Sequence, residues 1–148
     1  MNFKLKTAGI LAGATGMMML TSAISNDNVP LEVGNQAPEI SISKADGKSI
    51  RLSELKGESV IVNFWSVKDA ESRISNIRLA REAERNGVKY IGMCLDDDRQ
   101  LAEEVMRADN MSESTQYFAD RQIKEAYLDG SNVRTVKIDP YGIVAAID

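Results

Sequence analysis

The sequence predicts an α/β domain in which a central mixed sheet is flanked by helices, and three observations carry that reading. Residues 59–65 form a nearly unbroken run of β-branched and aromatic side chains, the pattern of a strand covered on both faces. The next segment, 69–86, has helical spacing, is stopped by Gly87, and leads at once into a second continuous apolar run, 88–95. Strand, helix and strand within about 40 residues make a βαβ unit, normally parallel and right-handed. Alternating residues around tight turns near both ends, 39–52 and 135–147, add a hairpin on each side of that unit.

The elements follow in order. Lys4 and Lys6 precede an apolar stretch from Ala8 to Leu20, and Thr21, Ser22 and Ala23 offer small residues for cleavage, so residues 1–23 read as a signal peptide. An uncleaved N-terminal anchor is the alternative. No cysteine follows closely, which gives a lipid anchor no support. Residues 24–36 are polar, carry Pro30 and Gly34, and read as a flexible tether before a single domain over 37–148. Ile40 and Ile42 alternate up to the Asp46-Gly47 turn, and Ile50 and Leu52 resume the alternation. Residues 52–57 form a short helical turn closed by Gly57. In the long helix, Ile74, Ile77, Ala80 and Ala83 lie about a turn apart and are expected to face the core, with Asp69 as N-cap. Asp96, Asp97 and Asp98 read as capping and solvated carboxylates, because consecutive residues point apart and no further ligands accompany them. A helix through Leu101, Ala102, Val105 and Met106 comes next. A short strand near Tyr117 and Phe118, a helix over 122–128 and the closing hairpin around Pro140-Tyr141-Gly142 complete the chain.

Composition removes many functions. The 148 residues are 43% hydrophobic and 27% charged, which is globular. Two of the 18 basic residues go with the leader, against 22 acidic ones, so the remainder carries about −6. An acidic domain without a basic cluster does not suit nucleic acid, whose phosphates need lysines and arginines. Histidine is absent and Cys94 is the sole cysteine. Cys/His zinc sites, Cys/His nucleophile pairs, the Ser-His-Asp triad and an internal disulfide are therefore excluded, and no cofactor or metal is expected.

Gly34, Ala37-Pro38, Asp46-Gly47, the run from Leu52 to Gly57 and the strand Val60-Ile61-Val62-Asn63-Phe64-Trp65 resemble, in order and spacing, the start of the exported thiol-disulfide oxidoreductases and thiol-specific antioxidant proteins. The resemblance covers most of residues 34–147 and implies a thioredoxin-like three-layer fold. It also implies a Cys-x-x-Cys pair after the Phe-Trp strand, its first thiol activated by the helix N-terminus. Counting from Trp65 places Asp69 and Ser72 at those positions, and neither exchanges disulfides.

Further departures accompany that one. Val133 stands where the family carries a cis-proline, so a trans bond and an altered loop are expected. The family's last helix has no counterpart before Asp148, so one sheet face is expected to be open to a homodimer or another partner, or covered by an N-terminal segment. Asp69 and Ser72 read as helix cap and surface residue. Lys68 is the single nearby candidate to activate Ser72, and a solvated charge is the preferred reading. Cys94 lies on a central strand as core packing, where a one-cysteine peroxidase would need an exposed thiolate at the family's site.

Two functions stand. One is an exported, non-catalytic domain of the periplasm or cell envelope that binds protein or peptide through Trp65, Ser66, Lys68 and Asp69. The other is the family's thiol-disulfide or peroxide chemistry.

Overall fold

The computed structural model describes residues 29–44, 46–130 and 134–148. The expected signal peptide, the first five residues of the expected tether and Val133 lie outside the described residues.

Strand β1 (Ser41–Ser43) pairs antiparallel with β2 (Ser49–Arg51), Ile42 opposite Ile50. A 3-10 turn, Leu52–Leu55, then leads to β3 (Val60–Trp65), helix α1 (Ala70–Asn86) and β4 (Lys89–Cys94). Helix α2 (Arg99–Ala108), β5 (Gln116–Phe118), α3 (Arg121–Tyr127), β6 (Arg134–Ile138) and β7 (Val144–Ile147) follow. The main sheet has the order β5-β4-β3-β6-β7, with β4 parallel to β3 and to β5, and with β6 antiparallel to β3 and to β7. The βαβ unit, the mixed sheet and both hairpins match the expectation.

Period-two alternation along β3 divides the core. Val60, Val62 and Phe64 point to one side, with Ile91, Met93, Val136 and Ile138 of neighbouring strands. Ile40 and Ile50 of the hairpin region, together with Ile123 and Tyr127 of α3, cover that side. Phe64 and Tyr127 set their rings 5.5 Å apart, and the Tyr127 hydroxyl donates to the Pro38 carbonyl. On the opposite side Ile61 and Tyr90 meet Leu79 and Ala83 of α1, while Trp65 and Cys94 meet Ala102 and Met106 of α2. Helices therefore flank both faces of the sheet.

Two expectations change. The inward row of α1 is Ser72, Asn76, Leu79 and Ala83, and Ile74 is 65% exposed. The helix is turned so that two polar side chains enter the core, where buried backbone and side-chain groups need partners. Part of the expected tether is also bound to the domain. Gly34 N donates to Val144 O at 2.8 Å, Val144 N donates to Asn35 O at 2.9 Å, and Gln36 bridges Ile143. Leu31 packs against the core beneath.

Candidate functional site

The site is the turn between β3 and α1, residues 66–69, at the C-terminal edge of the parallel strands. Asp69 is extended (φ −112°) and its Oδ1 accepts from Ser72 N at 3.0 Å, which caps α1. Gly87 ends the same helix in the left-handed region at φ 67°. Both caps fall where the sequence puts them.

Ser72 is 6% exposed, so it is a buried residue and not a surface one. Its Oγ accepts from Ser66 N at 3.0 Å and lies within donating distance of the carbonyls of Asp69, 2.9 Å, and Ser66, 3.2 Å. Ser66 Oγ in turn accepts from Lys68 N at 3.2 Å and donates to Asp96 Oδ1 at 3.1 Å. The other oxygen of Asp96 accepts from Val67 N at 2.7 Å. Asp69 N closes the turn on Ser66 O at 3.2 Å. Each backbone N–H from Ser66 to Asp69 thus has a partner inside the protein. The helix terminus that would stabilise a thiolate is capped by the chain's own Asp69 carboxylate, and the hydroxyls of Ser66 and Ser72 hold the turn before it.

The three consecutive aspartates separate into three roles. Asp96 ties down the 66–68 turn, Asp97 is exposed beside Lys124 at 3.6 Å, and Asp98 caps α2 by accepting from Leu101 N at 3.1 Å. Capping and solvation were legible in sequence. The reach of Asp96 across 29 residues to Val67 was not, because no local pattern encodes it.

Of the residues expected on a binding rim, Lys68 is exposed and Ser66 and Asp69 are half-buried. Trp65 is 1% exposed and lies behind the rim, its indole Nε1 donating to Gln116 Oε1 at 3.1 Å. Gln116 Oε1 accepts again from Asn76 Nδ2 at 3.2 Å, and Asn76 Oδ1 accepts from the Tyr90 hydroxyl at 2.6 Å. Beside this chain Asn63 Oδ1 accepts from Thr135 Oγ1 at 2.8 Å, while Asn63 Nδ2 meets no hydrogen-bond partner among the described residues. The polar network beneath α1 escaped the sequence reading, although Gly92 inside a continuous strand was a signal of close approach.

Cys94 is 1% exposed on β4. Burial above all pushes its thiol from the ordinary 9.0 up to about 12, and its Sγ donates to Asp96 Oδ2 at 3.5 Å. A protonated, enclosed thiol is a poor nucleophile. Among the described residues Ser72 has no base on its hydroxyl either: its hydrogen bonds run to backbone groups, and Lys68 is not among its partners.

Residues 33–146 match the AhpC/TSA family. The chain belongs to that family. A thiol-disulfide oxidoreductase ResA of Bacillus thuringiensis is 30% identical over 91 residues, 60% of this chain and 52% of that protein. The chain thus aligns with about half the length of these Bacillus relatives. A ResA of Oceanobacillus iheyensis is 22% identical over 141 residues, covering 90% of this chain and 73% of its own. Among solved structures, the thioredoxin domain of a thiol-disulfide oxidoreductase from Bacteroides vulgatus superposes with a TM-score of 0.68 at 22% identity, over 80% of this chain and 89% of that one. A thiol:disulfide interchange protein DsbE from Chlorobium tepidum gives 0.67 at 21% identity, over 79% and 84%. These likenesses establish the thioredoxin-like fold of this AhpC/TSA member.

Proposed function

We propose that this family member is an exported domain that binds a protein or peptide in the cell envelope and carries out no thiol chemistry. The observation that carries the reading is the occupancy of the helix terminus. Asp69 and Ser72 stand at the two expected thiol positions, their hydrogen bonds are internal, and the sole thiol is enclosed on β4. Lys68, with the exposed parts of Ser66 and Asp69, is the contact surface, and Trp65 supports it from behind. Lys4, Lys6 and the apolar stretch after them support export, and with it a periplasmic or envelope location. A second copy is a further candidate partner, through the α1 side of β6 and β7 where Lys137 is exposed; sedimentation velocity tests this.

The competing reading is thiol-disulfide exchange, the chemistry for which the ResA relatives are named. Insulin reduction and peroxide consumption by the purified chain separate the two. No turnover is expected from the wild type or from Cys94→Ala, whereas the Asp69→Cys/Ser72→Cys double variant is expected to form a disulfide and reduce insulin. Turnover by the wild type that disappears in Cys94→Ala overturns the proposal. A photocrosslinker at Lys68 in intact cells tests the binding surface, and capture unchanged by Asp69→Ala with Ser66→Ala sinks that assignment.

A further inference from the structure

The two outer strands of the main sheet are treated differently. The outer edge of β7 is covered at Ile143 and Val144 by residues 34–36. On the other side of the sheet, β5 pairs with β4 alone among the described residues. Ala119 N donates to Cys94 O at 3.0 Å, which fixes the alternation: Tyr117 and Ala119 turn their backbone groups to β4, and Gln116 and Phe118 turn theirs outward.

A groove of about 390 Å³ runs along that outward edge. Its walls come from opposite faces of the sheet. Ile42 and Lys44 of the hairpin region form one wall, and Arg99, Met106 and Arg107 of α2 form the other, with Tyr117 and Phe118 between them. The groove is therefore centred in the plane of the sheet, where an added strand would lie. Lys44 holds its ammonium 4.3 Å from the Tyr117 ring centre and Arg99 its guanidinium 4.6 Å from that of Phe118, so each aromatic floor residue carries a cation above it.

Charge narrows the occupant. Among the described residues, neither Arg99 nor Arg107 has a carboxylate within 4.0 Å. They are eight positions apart on one helix, about 12 Å along its axis. Residues i and i+4 of an extended strand lie on one face about 13 Å apart. Three acids also line the groove: Glu103 lies between the two arginines in sequence and disfavours a third acid at the centre, while Asp46 and Glu113 restrict the match for acidic residues to the α2 wall.

We infer that the β5 edge takes an extended segment of a partner protein as a sixth strand, with acidic residues at i and i+4 placed against Arg107 and Arg99 and an apolar residue at i+2 between them. The side chains at i+1 and i+3 face Tyr117 and Ile42. This surface is separate from the 66–69 turn, and its test is independent of the function proposed for that turn.

The test uses the full 148-residue chain, isotope-labelled, and a synthetic peptide with the core sequence EVFVE. Amide shift changes and exchange protection are expected at Gln116 and Phe118. The KVFVK peptide should bind at least about tenfold more weakly, the loss expected for charge-assisted contacts. Arg107→Glu, at an exposed helix position, should narrow or reverse that preference. Two N-methylated forms of EVFVE, one for each alternate set of amides, should differ, because only one set faces the β5 edge. No saturable binding of EVFVE overturns the inference. So do equal affinities of both N-methylated forms with the parent, or shift changes confined to residues 66–69.

Discussion

Gln116 fills the space in front of Gly92: a β-carbon on Gly92 would stand 2.5 Å from Gln116 Oε1 and 2.6 Å from its Nε2. The amide held there bonds both Trp65 Nε1 and Asn76 Nδ2, so any displacement breaks a buried polar chain. Gly92→Ala is expected to destabilise the domain by about 2–3 kcal/mol, from overpacking and loss of buried hydrogen bonds. Urea titration followed by Trp65 fluorescence measures this. Adding Gln116→Ala removes the obstacle, so the double variant should lose less than the sum of the two singles. Full additivity would show that the amide does not impose the glycine.

The carboxylate of Asp96 should control access to the thiol. It holds Ser66 and Val67 and accepts from Cys94, so Asp96→Ala frees the turn above the cysteine. Native-state reaction of Cys94 with a disulfide reagent should accelerate at least about tenfold, through local opening of a less stable segment. Asp96→Asn retains an acceptor oxygen and should fall between. An unchanged rate in Asp96→Ala would remove the carboxylate from any gating role.

The cap and the inward serine are separable by stability. Asp69→Ala should cost about 1 kcal/mol, the usual loss for an N-cap acceptor. Ser72→Ala leaves Ser66 N without its acceptor in a half-buried turn and should cost about 1–2 kcal/mol. If chemical denaturation finds Ser72→Ala neutral, the Ser66 amide has another partner in solution.

Alkaline pH should weaken the fold in steps. The Cys94 thiol rises from 9.0 to about 12, and the Tyr90 and Tyr127 phenols rise from 10.0, chiefly through burial. The folded state holds these protons more tightly than the unfolded state, which releases its own first. Their contribution is thus complete below pH 9.0, declines from there for Cys94 towards about 12, and declines above pH 10.0 for the tyrosines. The urea midpoint of Cys94→Val should show a weaker decline between pH 9.0 and 10.0, with the tyrosine limb retained. A midpoint that rises with alkaline pH contradicts this sign.

What was legible in the sequence was what recurs locally. The period-two run of β3, the Asp69 and Gly87 caps and the turn at Pro140 each encode their own conformation within a few residues. Residues whose place depends on distant partners were not legible. Ser72 and Asn76 look like surface positions until Ser66, Tyr90 and Gln116 are known to need them, and Ile74 looks like core for the same reason. In the site, the loss of both thiols and the enclosure of Cys94 could be read directly. Trp65 could not be separated from an exposed rim, because an aromatic residue ending a strand packs inward or outward according to what α2 brings against it.

The pairing of residues 34–36 with Ile143 and Val144 joins positions more than a hundred residues apart. A chain made from its N-terminus exposes the earlier partner long before the later one exists. Loop closure on that scale belongs to the slow end of assembly. Until the last strand arrives, Leu31 and the β7 side of the core remain uncovered, and this is the interval in which a holding chaperone has most to grip.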